Sequence, residues 1–497
     1  MTMDSDLDYA DGVELEEGEY EYSKEREPED YDYDTEELQF NDDGLTLQET
    51  VDHCVVPTAN DAIAHVGKLL FWCFVLRIVV ALCCGRAPRV AHLASALIGC
   101  LVLHHFFAEL AASFVVHAAL SYVALAASSR LLPAATAPLS LLVSLTFVFA
   151  CEMWYFTADK WHTVRGGQMI LVMKTVSVGL DLSGAVVGGG PVAPGAPGSR
   201  PAPGPLQYAG YLLHPGTTVF GPWIALDDYM LSMESRPLEL LSVRWMVTSV
   251  GSLVAGLLFM SISTCWLNYL LPDRTVLITV WIVAYREALA FRCSHYFVSF
   301  VSQAAATISG ISGAVWSPGG ELLVSRPTAI EAPRSLVEVV VNWNLPMHYW
   351  LKTYVFRVAR PAGVWVAVLC TYVASAVLHG ANFQLSAVLL SLGLYTFAED
   401  RLRTQLADAL GGCVQARRCV QPCRRHRLGA ALWSVRLLNA GLALLAAWHL
   451  AYLGMVFDGS PTGSAGYSWR HTLGKWALLG YSSHWVALGT LVVTWLL

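Results

Sequence analysis

A chain of 497 residues that is 55% hydrophobic and 14% charged, with a mean hydropathy of +0.48, carries more apolar surface than a soluble interior can hide. That composition excludes a string of ordinary soluble domains and makes lipid the solvent for most of the chain. The formal charge of −8 conceals an asymmetry: residues 1–50 hold 20 Asp/Glu against Lys24 and Arg26, a balance of −18, and the remainder, with 19 acids against 29 bases, is +10.

The first 60 residues interleave acids with tyrosines (Tyr9, Tyr20, Tyr22, Tyr31, Tyr33). Like-charge repulsion and scarce aliphatic side chains cannot offset the entropy of folding, which predicts a disordered, solvated tail at 1–60. The opening Met1-Thr2-Met3-Asp4-Ser5-Asp6 has neither the basic nor the apolar region of a signal peptide, so the first membrane segment is expected to direct insertion. The twelve cysteines are scattered, many within apolar runs. That is the pattern of small buried hydrophobes rather than of a disulfide framework.

From residue 61 to 497 the chain reads as one membrane domain. A helix needs about 20 apolar residues to cross a bilayer, and charge-free runs of 19, 20, 21 and 28 residues occupy 90–108, 110–129, 131–151 and 245–272. Shorter or interrupted runs fall at 275–285 and 293–320. Two more of 21 residues close the chain at 437–457 and 477–497, and an earlier run at 67–84 contains Lys68 and Arg77. Together they predict an all-α, multi-pass helical bundle of about ten spans with re-entrant or interfacial helices.

Two connections stand out. In the loop at 184–206, Gly and Pro fill 12 of the 18 positions from 188 to 205, which predicts a flexible segment outside the chemistry. The loop at 401–428 holds seven arginines against one acid, Asp408, and the positive-inside rule assigns it to the cytosol. It also carries Cys413, Cys419, Cys423 and His426. Their spacings form no CxxC pair set, so reversible acylation or a plain loop is expected there, and no metal site.

Titratable residues at membrane depth are costly and mark functional candidates. His104, His105, His117, His295, His379, His449 and His484 all qualify, and most are expected to bond to neighbouring helices or sit near an interface. His379 has further support. The 38 uncharged residues between Arg360 and Glu399 suffice for two crossings, and their middle reads Leu378-His379-Gly380-Ala381-Asn382. Gly and Asn end helices in a left-handed turn. A helical hairpin is predicted with His379 beside its bend, where freed backbone groups can line a cavity.

Upstream, VNWNLPMHYW at 341–350 crowds amides and aromatics around a proline. The stretch 352–360 sets Arg357 and Arg360 on one helical face, as in an interfacial helix that meets headgroups or an anionic ligand. Gly221-Pro222-Trp223 reads as a helix break or re-entrant turn with Trp223 at an interface. No P-loop, HExxH or nucleic-acid pattern stands out.

WNLPMHYWLKTYVFR at 343–357, followed by SAVLHGANFQLSAVLLSLGLYTFAEDRLR at 375–403, resembles the membrane-bound O-acyltransferases, and more narrowly their Porcupine branch, which lipidates Wnt proteins. RGGQM at 165–169 running to Asp181, GTTVFGPW at 216–223, FRCSHYFVS at 291–299, the Cys-containing loop, HLAYLG at 449–454 and SHW at 483–485 are similar in the same order. The likeness covers 61–497 and fails over the acidic tail and the Gly/Pro loop.

The resemblance implies a helical bundle enclosing a central catalytic tunnel, with His379 as catalytic histidine and Asn344 as its partner. It also implies transfer of a monounsaturated acyl group to a serine of a Wnt protein in the endoplasmic reticulum membrane. Palmitoleoyl-CoA would be the co-substrate, with no permanently bound cofactor and no nucleic acid involved. Imidazole titrates near neutral pH and can take a serine proton; Asn344 would either orient His379 or donate to the developing oxyanion.

Coenzyme A brings phosphates, and Lys352, Arg357 and Arg360, with Arg292 and Lys174 as further candidates, are the cations expected to meet them. Simple positive-inside anchoring is the alternative. His295 and Tyr296 are expected to bond between helices rather than line the tunnel, and His484 to be a packing residue. The alternative functions are a lysophospholipid or sterol O-acyltransferase of the same family, a transporter using His379 as a proton relay, and a non-catalytic scaffold acting through its tail.

Overall fold

The computed structural model describes residues 46–496 apart from 84, 185–200, 235–241, 272–278, 312, 318–321, 421–422, 424 and 459–467. The acidic stretch before residue 46 and most of the Gly/Pro loop lie outside the described residues. Among those described the chain is helical, with two isolated bridges, Ala314–Ser317 and Gly412–Leu428, in place of strands.

Helix begins at Leu47, inside the stretch expected to be tail, and resumes at Pro205, inside the expected Gly/Pro loop. Both starts have a local cause. Thr46 and Glu49 form a reciprocal box, in which the Thr46 hydroxyl accepts the Glu49 N–H and the Glu49 carboxylate accepts the Thr46 N–H. Pro205 stands in the first turn, where its missing N–H would have had no partner.

Among the described residues, five helices are long and apolar enough to cross a bilayer: Leu47–Cys83, Pro88–Leu131, Pro133–Tyr155, Val243–Trp266 and Trp433–Gly454. Trp469–Leu478 and Ser482–Leu496, bent by 74°, add a sixth if counted as one broken span. Pro88–Leu131 has 44 residues and breaks at Ala108 (φ 47°), so it holds both runs predicted at 90–108 and 110–129. Ala158–Leu182, Thr279–Ile308 and Phe383–Leu410 have 25, 30 and 28 residues, but their apolar character is diluted by polar side chains. The described residues therefore carry five or six helices clearly apolar enough to span where about ten spans were expected, because one of them holds two predicted runs and three other long helices are diluted by polar side chains.

The packing is inverted relative to a soluble protein. On Val243–Trp266, Val247, Val250, Val254 and Leu258 are exposed while Ser249 and Ser252 are buried. Lipid solvates the large apolar side chains, and small or polar ones make the interhelical contacts. Ser252 accepts from Gln303 of Thr279–Ile308 at 3.0 Å. At Gly454 a β-carbon would fall 2.4 Å from that of Ala288.

One disulfide, Cys54–Cys265, ties the first helix to the end of Val243–Trp266. It departs from the reading of the cysteines as reduced hydrophobes; the nine others described are free. A partner 211 residues away leaves no local signal. Arg403, fully buried on Phe383–Leu410, ties three further stretches to its own helix. It donates to Glu399 at 2.6 Å, the Val414 carbonyl at 3.0 Å, Asn439 Oδ1 at 3.1 Å and the Arg334 carbonyl.

Candidate active site

The Val364–Leu378 helix ends at His379 (φ −83°, ψ 2°), whose N–H still reaches the Ala376 carbonyl at 3.1 Å. Gly380 follows at φ +78°, a left-handed conformation that residues with a β-carbon avoid. Asn382 then caps Phe383–Leu410, its Oδ1 accepting the Leu385 N–H at 2.8 Å. The predicted bend is present, with Gly380 supplying the turn and Asn382 the cap. Its first arm has 15 residues, about 22 Å at 1.5 Å per residue, against a hydrocarbon core of about 30 Å. It is shorter than the full crossing expected of it, and it ends at half-buried His379.

The bend is held by a carboxylate that sequence reasoning missed. The Ala381 N–H donates to the two oxygens of Glu152 at 2.9 and 3.0 Å. Glu152 is buried at the π-helical end of Pro133–Tyr155. A β-carbon on Gly380 would lie 2.7 Å from both Glu152 oxygens. Arg165 of Ala158–Leu182 is near enough to act electrostatically on His379. The only trace of Glu152 in the sequence was a lone acid ending the apolar run at 131–151.

Asn344 lies in extended backbone (φ −147°, ψ 94°) between Leu336–Trp343 and Leu345–Trp350. Its Oδ1 accepts the Met347 N–H at 3.0 Å. That bond fixes the orientation of the amide, with the carbonyl turned to the helix and the NH2 left as a donor. His295 secures the residue before it: Nε2 donates to the Trp343 carbonyl at 2.8 Å, and the two rings stack with centroids 4.2 Å apart. On the same helix, Tyr296 donates to Glu331 at 2.6 Å, and Arg292 grips both Glu331 oxygens at 2.8 and 2.9 Å.

His295 and Tyr296 thus bond between elements, as expected, and Arg292 is already paired. Lys174 is fully buried and donates to the Tyr211 and Leu212 carbonyls and the Thr217 hydroxyl at 2.8, 3.3 and 2.9 Å. Neither cation is available to a phosphate, because a buried charge in a helical bundle must gather local acceptors. Lys352 and Arg360 are exposed and Arg357 half-buried, and among the described residues none of the three side chains has a hydrogen bond or ion pair. Near Lys352, burial, then the charges of Lys352 and Arg417, hold His348 below the ordinary imidazole pKa.

Trp223, expected at an interface, is buried instead. Its ring stacks on Tyr349 at 6.2 Å, its N–H reaches Ser177 at 3.3 Å, and its carbonyl accepts the Trp316 N–H at 2.9 Å. Trp350 donates to the Met173 carbonyl at 3.0 Å and Tyr354 to Asp181 at 3.1 Å. The segments around Asp181, GTTVFGPW and WNLPMHYW, distant in sequence, are one packed unit. Toward the end of the chain, His484 is engaged through both nitrogens, by Tyr452 at 2.9 Å and Ser391 at 3.1 Å, and His449 pairs with Ser483. This network joins helices and leaves His484 no free ring nitrogen.

A sequence profile of the membrane-bound O-acyltransferase family matches residues 196–409, which include Asn344, His379 and the bend. The chain is 38% identical over 467 residues to the protein-serine O-palmitoleoyltransferase porcupine of Mus musculus, covering 89% of this chain and 96% of that one. The chain belongs to the membrane-bound O-acyltransferase family. The Homo sapiens protein of the same name matches to the same extent, and that of Anopheles gambiae is 30% identical over 475 residues, 89% of this chain and 92% of that one. Family membership makes the chain an O-acyltransferase embedded in a membrane and gives it an acyl donor as co-substrate.

Proposed function

We propose that the chain is a protein-serine O-palmitoleoyltransferase of the endoplasmic reticulum membrane, moving a monounsaturated acyl group from coenzyme A to a serine of a Wnt protein. The observation that carries this reading is likeness along nearly the whole of a relative named for that acyl transfer. His379 is the base. One ring nitrogen takes the serine proton as the oxygen attacks the thioester carbonyl, and the imidazolium returns that proton to the departing sulfur, giving ester and free thiol.

Asn344 donates through its NH2 to the oxyanion. The Asn344 carbonyl already serves Met347, and an NH2 directed at the imidazole would occupy a lone pair that the base needs. Lys352, Arg357 and Arg360 meet the coenzyme A phosphates on the cytosolic side, the side to which the arginine-rich loop is assigned. The acceptor serine approaches from the lumen, the side opposite the arginine-rich loop. The chemistry resides in the membrane domain, and the acidic tail and Gly/Pro loop stand outside it.

The test is transfer from palmitoleoyl-CoA to a Wnt-derived peptide by purified protein, with a lysophospholipid offered as competing acceptor. His379→Ala should lower transfer by about 10²–10⁴-fold while the protein still melts cooperatively. Near-native transfer by that variant overturns the assignment of the base, and acylation of the lysophospholipid in place of the peptide overturns the acceptor class.

A further inference from the structure

Four metal-ligating side chains converge where the arginine-rich loop folds back on itself. Phe383–Leu410 ends at Gly411 in a left-handed cap (φ 57°). A bridge between Gly412 and Leu428 closes the loop, the Cys413 N–H donating to the Leu428 carbonyl at 3.0 Å. Closure brings the sulfurs of Cys413, Cys419 and Cys423 and a ring nitrogen of His426 within 4.8 Å of one another. His426 Nδ1 stands 3.7, 3.5 and 3.3 Å from the three sulfurs in turn.

Those distances have a simple chemical meaning. Tetrahedral zinc with bonds of about 2.3 Å to sulfur and about 2.0–2.1 Å to nitrogen requires nitrogen–sulfur edges of about 3.6 Å. The three edges at His426 match that length. Hydrogen bonding explains them less well, since three thiols face one nitrogen whose lone pair accepts a single proton. Cys413 and His426 are buried and the other two sulfur-bearing residues half-buried, so water does not replace the missing partners freely. Arg417, Arg418, Arg425 and Arg427 on the same loop offset the single negative charge of a zinc ion held by three thiolates and an imidazole.

We propose that Cys413, Cys419, Cys423 and His426 form a structural zinc site, with His426 binding through Nδ1 and each thiol losing its proton to solvent as the ion enters. This departs from the sequence reading of the loop, in which the spacing argued against a metal. Closure of the loop, which local spacing does not show, sets the geometry.

The role follows from what the loop holds. The Cys413 carbonyl accepts from Arg334 at 2.7 Å and Asn439 at 3.1 Å, and that of Val414 from Arg403 at 3.0 Å. The Gln415 carbonyl accepts from Arg334 at 2.9 Å, and that of Ala416 from the Ser335 hydroxyl at 3.0 Å. Arg334 and Ser335 lead directly into Leu336–Trp343, the helix that delivers Asn344. The ion fixes a platform of four consecutive carbonyls beneath that helix.

Full-length protein purified in detergent without chelators should contain about one zinc per chain by mass spectrometry of the metal. Cys423→His, which keeps a ligand, should retain it, and Cys419→Ser with Cys423→Ser should lower it by about tenfold or more. Cobalt exchanged into the native chain should give the absorption of a tetrahedral, thiolate-rich centre. A native chain without zinc, zinc unchanged in the double variant, or hydroxylamine-labile acyl groups on these cysteines would each overturn the proposal. Should the double variant fail to fold, the metal content of native protein and of Cys423→His, with the cobalt spectrum, decides.

Discussion

Gly380→Ala separates the geometry of the bend from the mere presence of His379. At φ +78° an alanine carries about 1–2 kcal/mol of backbone strain. Its methyl carbon would stand 2.7 Å from both oxygens of Glu152, well inside contact distance, so the carboxylate must withdraw. Withdrawal breaks the bonds from Ala381 at 2.9 and 3.0 Å, a loss of about 1.5–3 kcal/mol for a hydrogen bond to a charged group. Together these disfavour the formed bend by about 2.5–5 kcal/mol, which at about 1.4 kcal/mol per decade is roughly two to three and a half decades of population.

Steady-state transfer to a Wnt-derived peptide, measured beside thermal melting in detergent, should show turnover down by about a hundredfold or more. The KM for the acyl donor should change little, because its proposed cations lie on another element. Glu152→Gln is the companion variant. It keeps the shape and a carbonyl acceptor for Ala381, so its loss should be smaller, near 1 kcal/mol. A Gly380→Ala protein with native turnover and a native melting temperature would refute the reasoning.

Asn344→Asp retains the oxygen that caps Leu345–Trp350 but loses the NH2. It should melt like the native protein while turnover falls by about 10²–10³-fold; Asn344→Ala should add about 0.5–2 kcal/mol of destabilisation from the lost cap. Undiminished turnover in Asn344→Asp would remove the oxyanion role. His295→Phe preserves stacking on Trp343 and deprives its carbonyl of a donor, which should cost about 1–3 kcal/mol in chemical denaturation; an unchanged midpoint contradicts this. Arg357→Ala with Arg360→Ala should alter stability by less than about 0.5 kcal/mol. The same pair should raise the donor KM and flatten its dependence on salt, and a native KM at both low and high ionic strength would return these residues to simple membrane anchoring.

What the sequence disclosed was local. Gly380 and Asn382 announced a break beside His379 because a left-handed turn and a helix cap each demand a narrow choice of residue. Unbroken apolar runs announced Pro133–Tyr155 and Val243–Trp266 for the same reason. What stayed hidden depends on partners far along the chain. Glu152 acquires its role only when Pro133–Tyr155 meets a bend 229 residues later. Trp223 looked interfacial because tryptophan often is, yet Tyr349 and Ser177 enclose it. Arg292 and Lys174 looked available because nothing near them in sequence names Glu331 or Thr217 as partners. The cysteines of the arginine-rich loop looked unrelated because a closing bridge, not their spacing, brings them together.

Arg403 has a consequence for how the molecule is made. Its guanidinium binds the Arg334 carbonyl and the Asn439 side chain at once, and the Asn439 amide in turn donates to the Cys413 carbonyl. A polypeptide leaves the ribosome from its N-terminus, so residues 334–344 are synthesised and inserted well before Asn439 exists. The stretch bearing Asn344 therefore gains its final seat only after Trp433–Gly454 has been translated and packed. Catalytic competence arrives late in biosynthesis, and a premature stop between residues 404 and 438 would silence a site whose own residues had all been made.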